Sequence, residues 1–172
     1  MKIGILSDTH DQVARTQVAI DRLRALGVQA VVHCGDLTSA EIVEVCSSLP
    51  FYFVFGNHDA DMAHLLTEAA ERFGANCLKW GGEIELAGKR IAIAHGHFPK
   101  DFRPLLALKP DYFLFGHSHQ THDSMDGDLR RINPGALHRA TEFTVATLDL
   151  TTDTVAFITI DRALGPSGVT GR

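Results

Sequence analysis

The chain has 172 residues, enough for one compact domain that buries roughly 70% of the surface its unfolded form exposes. With 45% apolar residues it can build a core without disulfides, and Cys34, Cys46 and Cys77 stand far apart with no CxxC pair, a pattern that suits a reducing compartment. A net charge of −5, from 16 basic and 21 acidic residues, excludes a duplex nucleic-acid binder working by broad phosphate neutralisation, but says nothing against small phosphate substrates, where a bound cation can supply the positive charge.

The first half alternates strand and helix. Ile3 to Leu6 reads as a short buried strand ending at Ser7-Asp8. Val13 to Leu26 has helical periodicity, with Val13, Ile20, Leu23 and Leu26 inward and Arg15, Asp21, Arg22 and Arg24 elsewhere, and Gly27 as a stop. Ala30-Val31-Val32 makes a second strand running into Gly35-Asp36, and Ser39 is placed to cap a helix from Glu41 to Cys46. Phe51 to Phe55 gives a third strand ending at Gly56-Asn57, followed by a helix from Asp61 to Phe73 that Gly74 stops.

The second half reads as hairpins. Glu83 to Leu86 and Arg90 to Ala94 flank Ala87-Gly88-Lys89, a short helix covers Phe102 to Leu108, and Tyr112 to Phe115 is a strand ending at Gly116-His117. Asp126-Gly127 turns between Asp123-Met125 and Leu129-Ile132, and Phe143 to Leu150 pairs with Thr154 to Ile160. The pattern predicts an α/β domain over residues 1–162, with helices outside two packed sheets, the second largely antiparallel. Residues 163–172, rich in Gly, Ser and Thr, read as a fraying tail. No apolar run approaches the ~20 residues of a membrane span, and Lys2 to Leu6 has no signal-peptide layout, so the expected location is cytoplasmic.

Ten histidines stand out, and their positions matter more than their number. Five apolar runs each end in a polar cluster: Ser7-Asp8-Thr9-His10, Cys34-Gly35-Asp36, Gly56-Asn57-His58-Asp59, His95-Gly96-His97 and Gly116-His117-Ser118-His119. Ligands of open α/β sheets bind beyond the carboxyl ends of the strands, so five such ends pointing one way would bring these clusters into one crevice. Asp, His and Asn offer carboxylate, imidazole and carbonyl donors suited to divalent metals. Asp36 is the candidate for a carboxylate shared by two cations, the clamp used in phosphoryl hydrolysis.

The ordered set Asp8-x-His10, Gly35-Asp36, Gly56-Asn57-His58-Asp59, His95 and Gly116-His-Ser-His119 resembles the calcineurin-like metallophosphoesterase superfamily, and the length resembles its small bacterial and archaeal phosphodiesterase branch. The resemblance spans Lys2 to Ala136 and implies a four-layer αββα sandwich of two mixed sheets flanked by helices. It implies that Asp8, His10 and His119 hold one divalent metal, that Asn57, His95 and His117 hold a second, and that Asp36 bridges them. Manganese is the first expectation for both ions, with iron, nickel, cobalt or zinc as alternatives. A hydroxide between the metals would attack phosphorus in line, His58 would face the substrate as the catalytic group, and Asp59 would orient the His58 ring.

The implied substrate is a small phosphodiester, with monoesters also open and homo-oligomerisation undecided. A non-catalytic interaction scaffold of the same fold, as in the retromer subunit Vps29, is the alternative; such scaffolds typically lack one or more active-site histidines, whereas His58 is present here. His33 and His97 read equally as packed side chains or as partners that orient a ligand, and His64, His122 and His138 have no motif partner. Asn133-Pro134-Gly135 resembles a turn near the family's site but continues with Ala136 where serine is frequent, which leaves no clear substrate contact.

Overall fold

A computed structural model describes residues 1–161. The tail expected over 163–172 lies outside the described residues. Eleven strands, β1 (Lys2–Leu6), β2 (Ala30–His33), β3 (Phe51–Phe53), β4 (Asn76–Cys77), β5 (Gly81–Leu86), β6 (Lys89–Ala94), β7 (Tyr112–Leu114), β8 (Thr121–Asp126), β9 (Leu129–Pro134), β10 (Phe143–Asp149) and β11 (Thr154–Ile160), form two sheets among the described residues. The helices are α1 (Val13–Ala25), α2 (Ala40–Cys46), α3 (Ala63–Phe73) and α4 (Pro99–Ala107), and a 3-10 turn, Asn57–Met62, precedes α3.

The first sheet runs β11-β10-β1-β2-β3-β4 and the second β5-β6-β7-β9-β8. Both are mixed. β1 to β4 are parallel, with β10 and β11 added antiparallel. In the second sheet β6, β7 and β9 are parallel and only the flanking β5 and β8 are antiparallel. The expectation of a largely antiparallel second sheet is therefore corrected. α4 carries the chain from β6 back to a parallel β7, and the last hairpin joins the first sheet instead.

Strand alternation builds the four layers. On β1, Ile3 and Ile5 point between the sheets, while Leu6 packs under the helices. β2 divides the same way, Val32 between the sheets and Val31 under the helices; β3 sends Phe51 and Phe53 to the helix side and Tyr52 inward. On β6 and β7, Ile91, Ile93, Tyr112 and Leu114 face the first sheet, while Ala92, Ala94 and Phe113 face α4. A period of two thus splits each strand between two cores, each buried Leu, Ile or Phe contributing on the order of 1.5–3 kcal/mol. α1, α2 and α3 cover one outer face and α4 the other, which gives the αββα sandwich.

Two local expectations are corrected. Arg15 is buried, not outward: its guanidinium lies 3.7 Å from the centroid of the Phe143 ring and donates to the Leu137 carbonyl at 2.5 Å. Leu26, expected inward, is 45% exposed because α1 ends at Ala25. Ser39 does sit at the N-cap of α2, without a side-chain capping hydrogen bond. Among the described residues no helix is long and apolar enough to cross a membrane.

Candidate metal centre

The parallel strands of both sheets deliver their carboxyl ends to one crevice. Loops after β1, β2, β3, β6 and β7 bring Asp8, His10, Asp36, Asn57, His95, His117 and His119 into a chain of close contacts. Asp8 Oδ1 is 3.1 Å from His119 Nε2 and 4.0 Å from His95 Nε2. Asp36 Oδ2 is 3.4 Å from both His10 Nε2 and His95 Nε2, so it lies between two groups of donors. Asn57 Oδ1 lies 3.0 Å from His95 Nε2 and 3.2 Å from His117 Nδ1. All seven residues singled out in the sequence are brought together.

The backbone has to bend sharply to do this. Asp8, His10, Asp36, His117 and His119 all have positive φ, between 42° and 68°. Asp and His are among the side chains that tolerate this left-handed region best, and such strain gathers where geometry is over-determined. Gly35 takes φ 100°, and a Cβ there would stand 2.7 Å from His95 Nδ1. A Cβ on Gly116 would collide with the Ser7 hydroxyl and the Asp8 carboxylate, so glycine is what lets β7 approach β1.

Surrounding bonds fix which atom each of these side chains presents. His95 Nδ1–H donates to the Cys34 carbonyl at 2.8 Å, and His119 Nδ1–H to the Arg139 carbonyl at 3.3 Å; both rings therefore turn Nε2 toward the crevice. Asp8 Oδ2 accepts the Ser7 hydroxyl at 2.5 Å and the His117 N–H at 3.0 Å, which leaves Oδ1 facing inward. Asp36 Oδ1 accepts the His58 N–H at 2.8 Å.

The electrostatics follow from carboxylates and imidazoles crowded into one crevice. Burial pushes the Asp8 and Asp36 carboxyls up, but the surrounding histidines outweigh it: contact with His119 holds Asp8 below the usual carboxylate range, and His10 and His95 hold Asp36 well below it. Burial would lower His95, yet the Asp36 and Asp8 carboxylates raise it; Asp8 likewise raises His119. His117 is lowered by burial and by the charge on His95.

The fit to metal follows from the donors. With Nδ1–H committed to a carbonyl, a neutral His95 would aim a lone pair at the oxygens of both Asn57 and Asp36. Asp8 Oδ1 and His10 Nε2 are also buried with no hydrogen-bond partner among the described residues. Acceptors converging on acceptors need a positive charge between them, and a divalent cation supplies it without protonating the rings. The donor atoms of Asp8, His10 and His119 lie within 4.8 Å of one another, as do those of Asp8, Asp36 and His95.

A match to the calcineurin-like phosphoesterase superfamily domain covers residues 1–153. The chain belongs to that superfamily. It is 29% identical over 140 residues to the phosphodiesterase MJ0936 of Methanocaldococcus jannaschii, spanning 78% of this chain and 83% of that protein. A solved archaeal phosphodiesterase superposes with a TM-score of 0.79 at 27% identity, over 93% of this chain and all of the other. A Vps29 variant from Entamoeba histolytica superposes with a TM-score of 0.65 at 18% identity, over 94% of this chain and all of the other, which speaks to the fold alone.

Within this superfamily frame the remaining polar residues find places. His58 is exposed at the mouth, its ring 5.0 Å edge-on to that of His10. Asp59 is fully buried and bound to backbone rather than to the His58 ring: its carboxylate accepts the N–H groups of Asp36 (2.8 Å), Leu37 (3.2 Å), Thr38 (2.8 Å) and Gly56 (2.8 Å). It ties the Asp36 loop to the Asn57 turn, a different task from the expected orientation of His58.

His33 is buried and braces loops. Its Nδ1 accepts the Gly35 N–H at 3.2 Å, so Nε2–H donates to the Thr9 hydroxyl at 3.1 Å; burial pushes its pKa down to about 3. Asn133 donates to the Gly116 carbonyl at 2.8 Å and to the Ser118 hydroxyl at 3.1 Å, so the Asn133-Pro134-Gly135 turn supports the loop carrying His117 and His119. Sequence reasoning missed His138, whose ring lies 4.7 Å from that of His10. It sits beyond the end of β9, and the rule that parallel strands deliver site residues at their carboxyl ends would have found it.

Proposed function

We propose that the protein is a phosphodiesterase that works with two divalent cations. Asp8, His10 and His119 hold one, Asn57, His95 and His117 hold the other, and Asp36 is shared between them. The observation that carries this reading is the convergence of the buried Asp8, Asp36 and His95 with the less buried His10, Asn57, His117 and His119 across the crevice, with Asp36 Oδ2 3.4 Å from a histidine of each group. Cations held there supply positive charge for the nonbridging phosphate oxygens and lower the pKa of water near neutral pH.

The chain's own residues do the rest. The Cys34 and Arg139 carbonyls hold His95 and His119 as Nε2 donors, and the amide-bound Asp59 holds the Asp36 loop. His58, exposed beside His10, faces a bound phosphate, where its ring N–H stabilises developing charge or passes a proton to the leaving oxygen. No side-chain nucleophile is needed. Cys34 is buried with its thiol pKa pushed up, which suits a structural role in a reducing, cytoplasmic setting.

Nitrogen and oxygen donors suit manganese, with iron, nickel, cobalt and zinc also compatible. The exposed His58 at the mouth favours the enzyme over a Vps29-like scaffold. The test is hydrolysis of bis(p-nitrophenyl) phosphate by protein stripped with chelator, verified metal-free, then reloaded. Activity should vanish on stripping and return with manganese; full turnover by verified metal-free protein would overturn the proposal.

A further inference from the structure

On the rim beside His95 and His117 the chain presents a ladder of rings that the proposed chemistry does not use. The His97 ring stands 5.2 Å from that of His95 and 6.0 Å from that of His117. The Phe98 ring lies 4.2 Å from that of His97, and Trp80 stands 6.4 Å from His97, itself edge-on to Phe55 at 5.5 Å. Trp80 is 39% exposed and Phe98 51% exposed. Large aromatic side chains left in water cost free energy, and here two of them flank one edge of the crevice.

Charge accompanies the rings. The Lys100 ammonium lies 5.1 Å from the Phe98 ring centroid, and the Lys79 ammonium 5.9 Å from that of Phe55. Flat apolar faces beside a phosphate-binding crevice, with ammonium groups at the edge, match an anionic ester that carries a planar ring. An alkyl ester would bury some apolar surface on the faces but could not stack on them, and a free phosphate would not reach them.

Resting on the phosphodiesterase reading, we infer that Trp80, His97 and Phe98 form a subsite that stacks a flat aromatic ring of the ester, either a nucleobase or an aryl group. Stacking of a base on an aromatic side chain strengthens binding by roughly 5- to 150-fold, so ring-bearing ligands should bind about tenfold or more tighter than alkyl ones. Phe98 and Trp80 act on affinity for the ring and take no part in bond cleavage.

The chain has a single tryptophan, and it lies in the subsite, so its fluorescence reports occupancy without turnover. The experiment titrates manganese-loaded protein with phosphonates, whose carbon–phosphorus bond resists hydrolysis: phenylphosphonate, a nucleoside phosphonate and butylphosphonate. The two ring-bearing probes should quench Trp80 and bind at least tenfold tighter than the butyl one; preference for one of them alone assigns the ring as nucleobase or aryl. Phe98→Ala should bring the ratio to within about threefold, while Phe157→Ala, at an exposed aromatic on the outer strand β11, should keep it. Equal affinities for ring and butyl probes, or a preference that survives both Phe98→Ala and Trp80→Leu (the latter followed by titration calorimetry, since it lacks the fluorophore), would overturn the subsite. If bis(p-nitrophenyl) phosphate is still hydrolysed in that event, the phosphodiesterase reading stands without it; loss of hydrolysis and of all phosphonate binding would overturn both.

Discussion

Replacing Asp59 by alanine removes an acceptor for four buried amides at once. The Asp36, Leu37, Thr38 and Gly56 N–H groups lie 2.8, 3.2, 2.8 and 2.8 Å from its carboxylate. A hydrogen bond to a charged group is worth about 1.5–3 kcal/mol, but four around one carboxylate do not add, because the loop relaxes and water enters. The expected loss is therefore roughly 3–5 kcal/mol, near the upper limit for one substitution. For a domain of this size that lowers the melting temperature by on the order of 10 °C.

Asp59→Asn keeps the shape. Its carbonyl can take the place of Oδ2, which serves three donors, but its amide then meets the Thr38 N–H, so about 1–2 kcal/mol is expected. Urea denaturation followed by circular dichroism, in chelator so that metal release does not contribute, measures both. A loss below about 1 kcal/mol for Asp59→Ala would refute the bracing role. A changed pH–rate profile at unchanged stability would instead restore a role in orienting His58.

His58→Ala should retain both metals by elemental analysis while turnover falls on the order of 10²–10⁴-fold; loss of metal would show His58 to be a ligand. Asp36→Asn should weaken both metal sites by at least about tenfold, since a shared ligand cannot matter less than an outer partner, and titration calorimetry showing one site untouched would exclude the bridge. Because burial depresses His33 to about 3 in the fold, the unfolded chain binds the extra proton between about pH 6.5 and 3, so stability is full above that window and lost as pH falls through it. In His33→Gln that slope should flatten, as measured by denaturation of metal-free protein across the window; an unchanged slope would assign the pH dependence elsewhere.

The clustering of these side chains was legible in the sequence because residue types able to bind metal follow apolar runs directly. Asp8, Asp36, Asn57, His95 and His117 come within a few residues of a strand end, and a strand end is a local signal. Asp59 was misread because its partners at Asp36 to Thr38 become neighbours only when β2 and β3 pair in parallel. Its bond to the Gly56 N–H, three residues back, is local, and a turn-capping pattern could have been recognised there. Arg15 was misplaced for a similar reason: helical period assigns a charge outward, and only the arrival of Phe143 from β10 gives the guanidinium a ring to lie on. His138 had no nearby motif, and its approach to His10 depends on the segment after β9 meeting the start of β10, which lies beside β1.

These long-range contacts explain how the strained loops persist. Each non-glycine residue held at positive φ costs on the order of 1 kcal/mol or more, and Asp8, His10, Asp36, His117 and His119 share that conformation. Their own loops cannot hold it. Bonds from neighbouring segments do: the Asp59 carboxylate on the Asp36 loop, His33 between Thr9 and Gly35, and Asn133 on the Gly116 carbonyl. The bonds from Asp59, from Asn133 and from His33 to Thr9 each join separate segments, so assembly of the sheets shapes the crevice. A preformed site lets binding energy go to the cation and the phosphate instead of to ordering loops. It follows that substitutions at Asp59, His33 or Asn133, none of which faces the crevice, should appear first as weaker metal binding and only then as lost turnover.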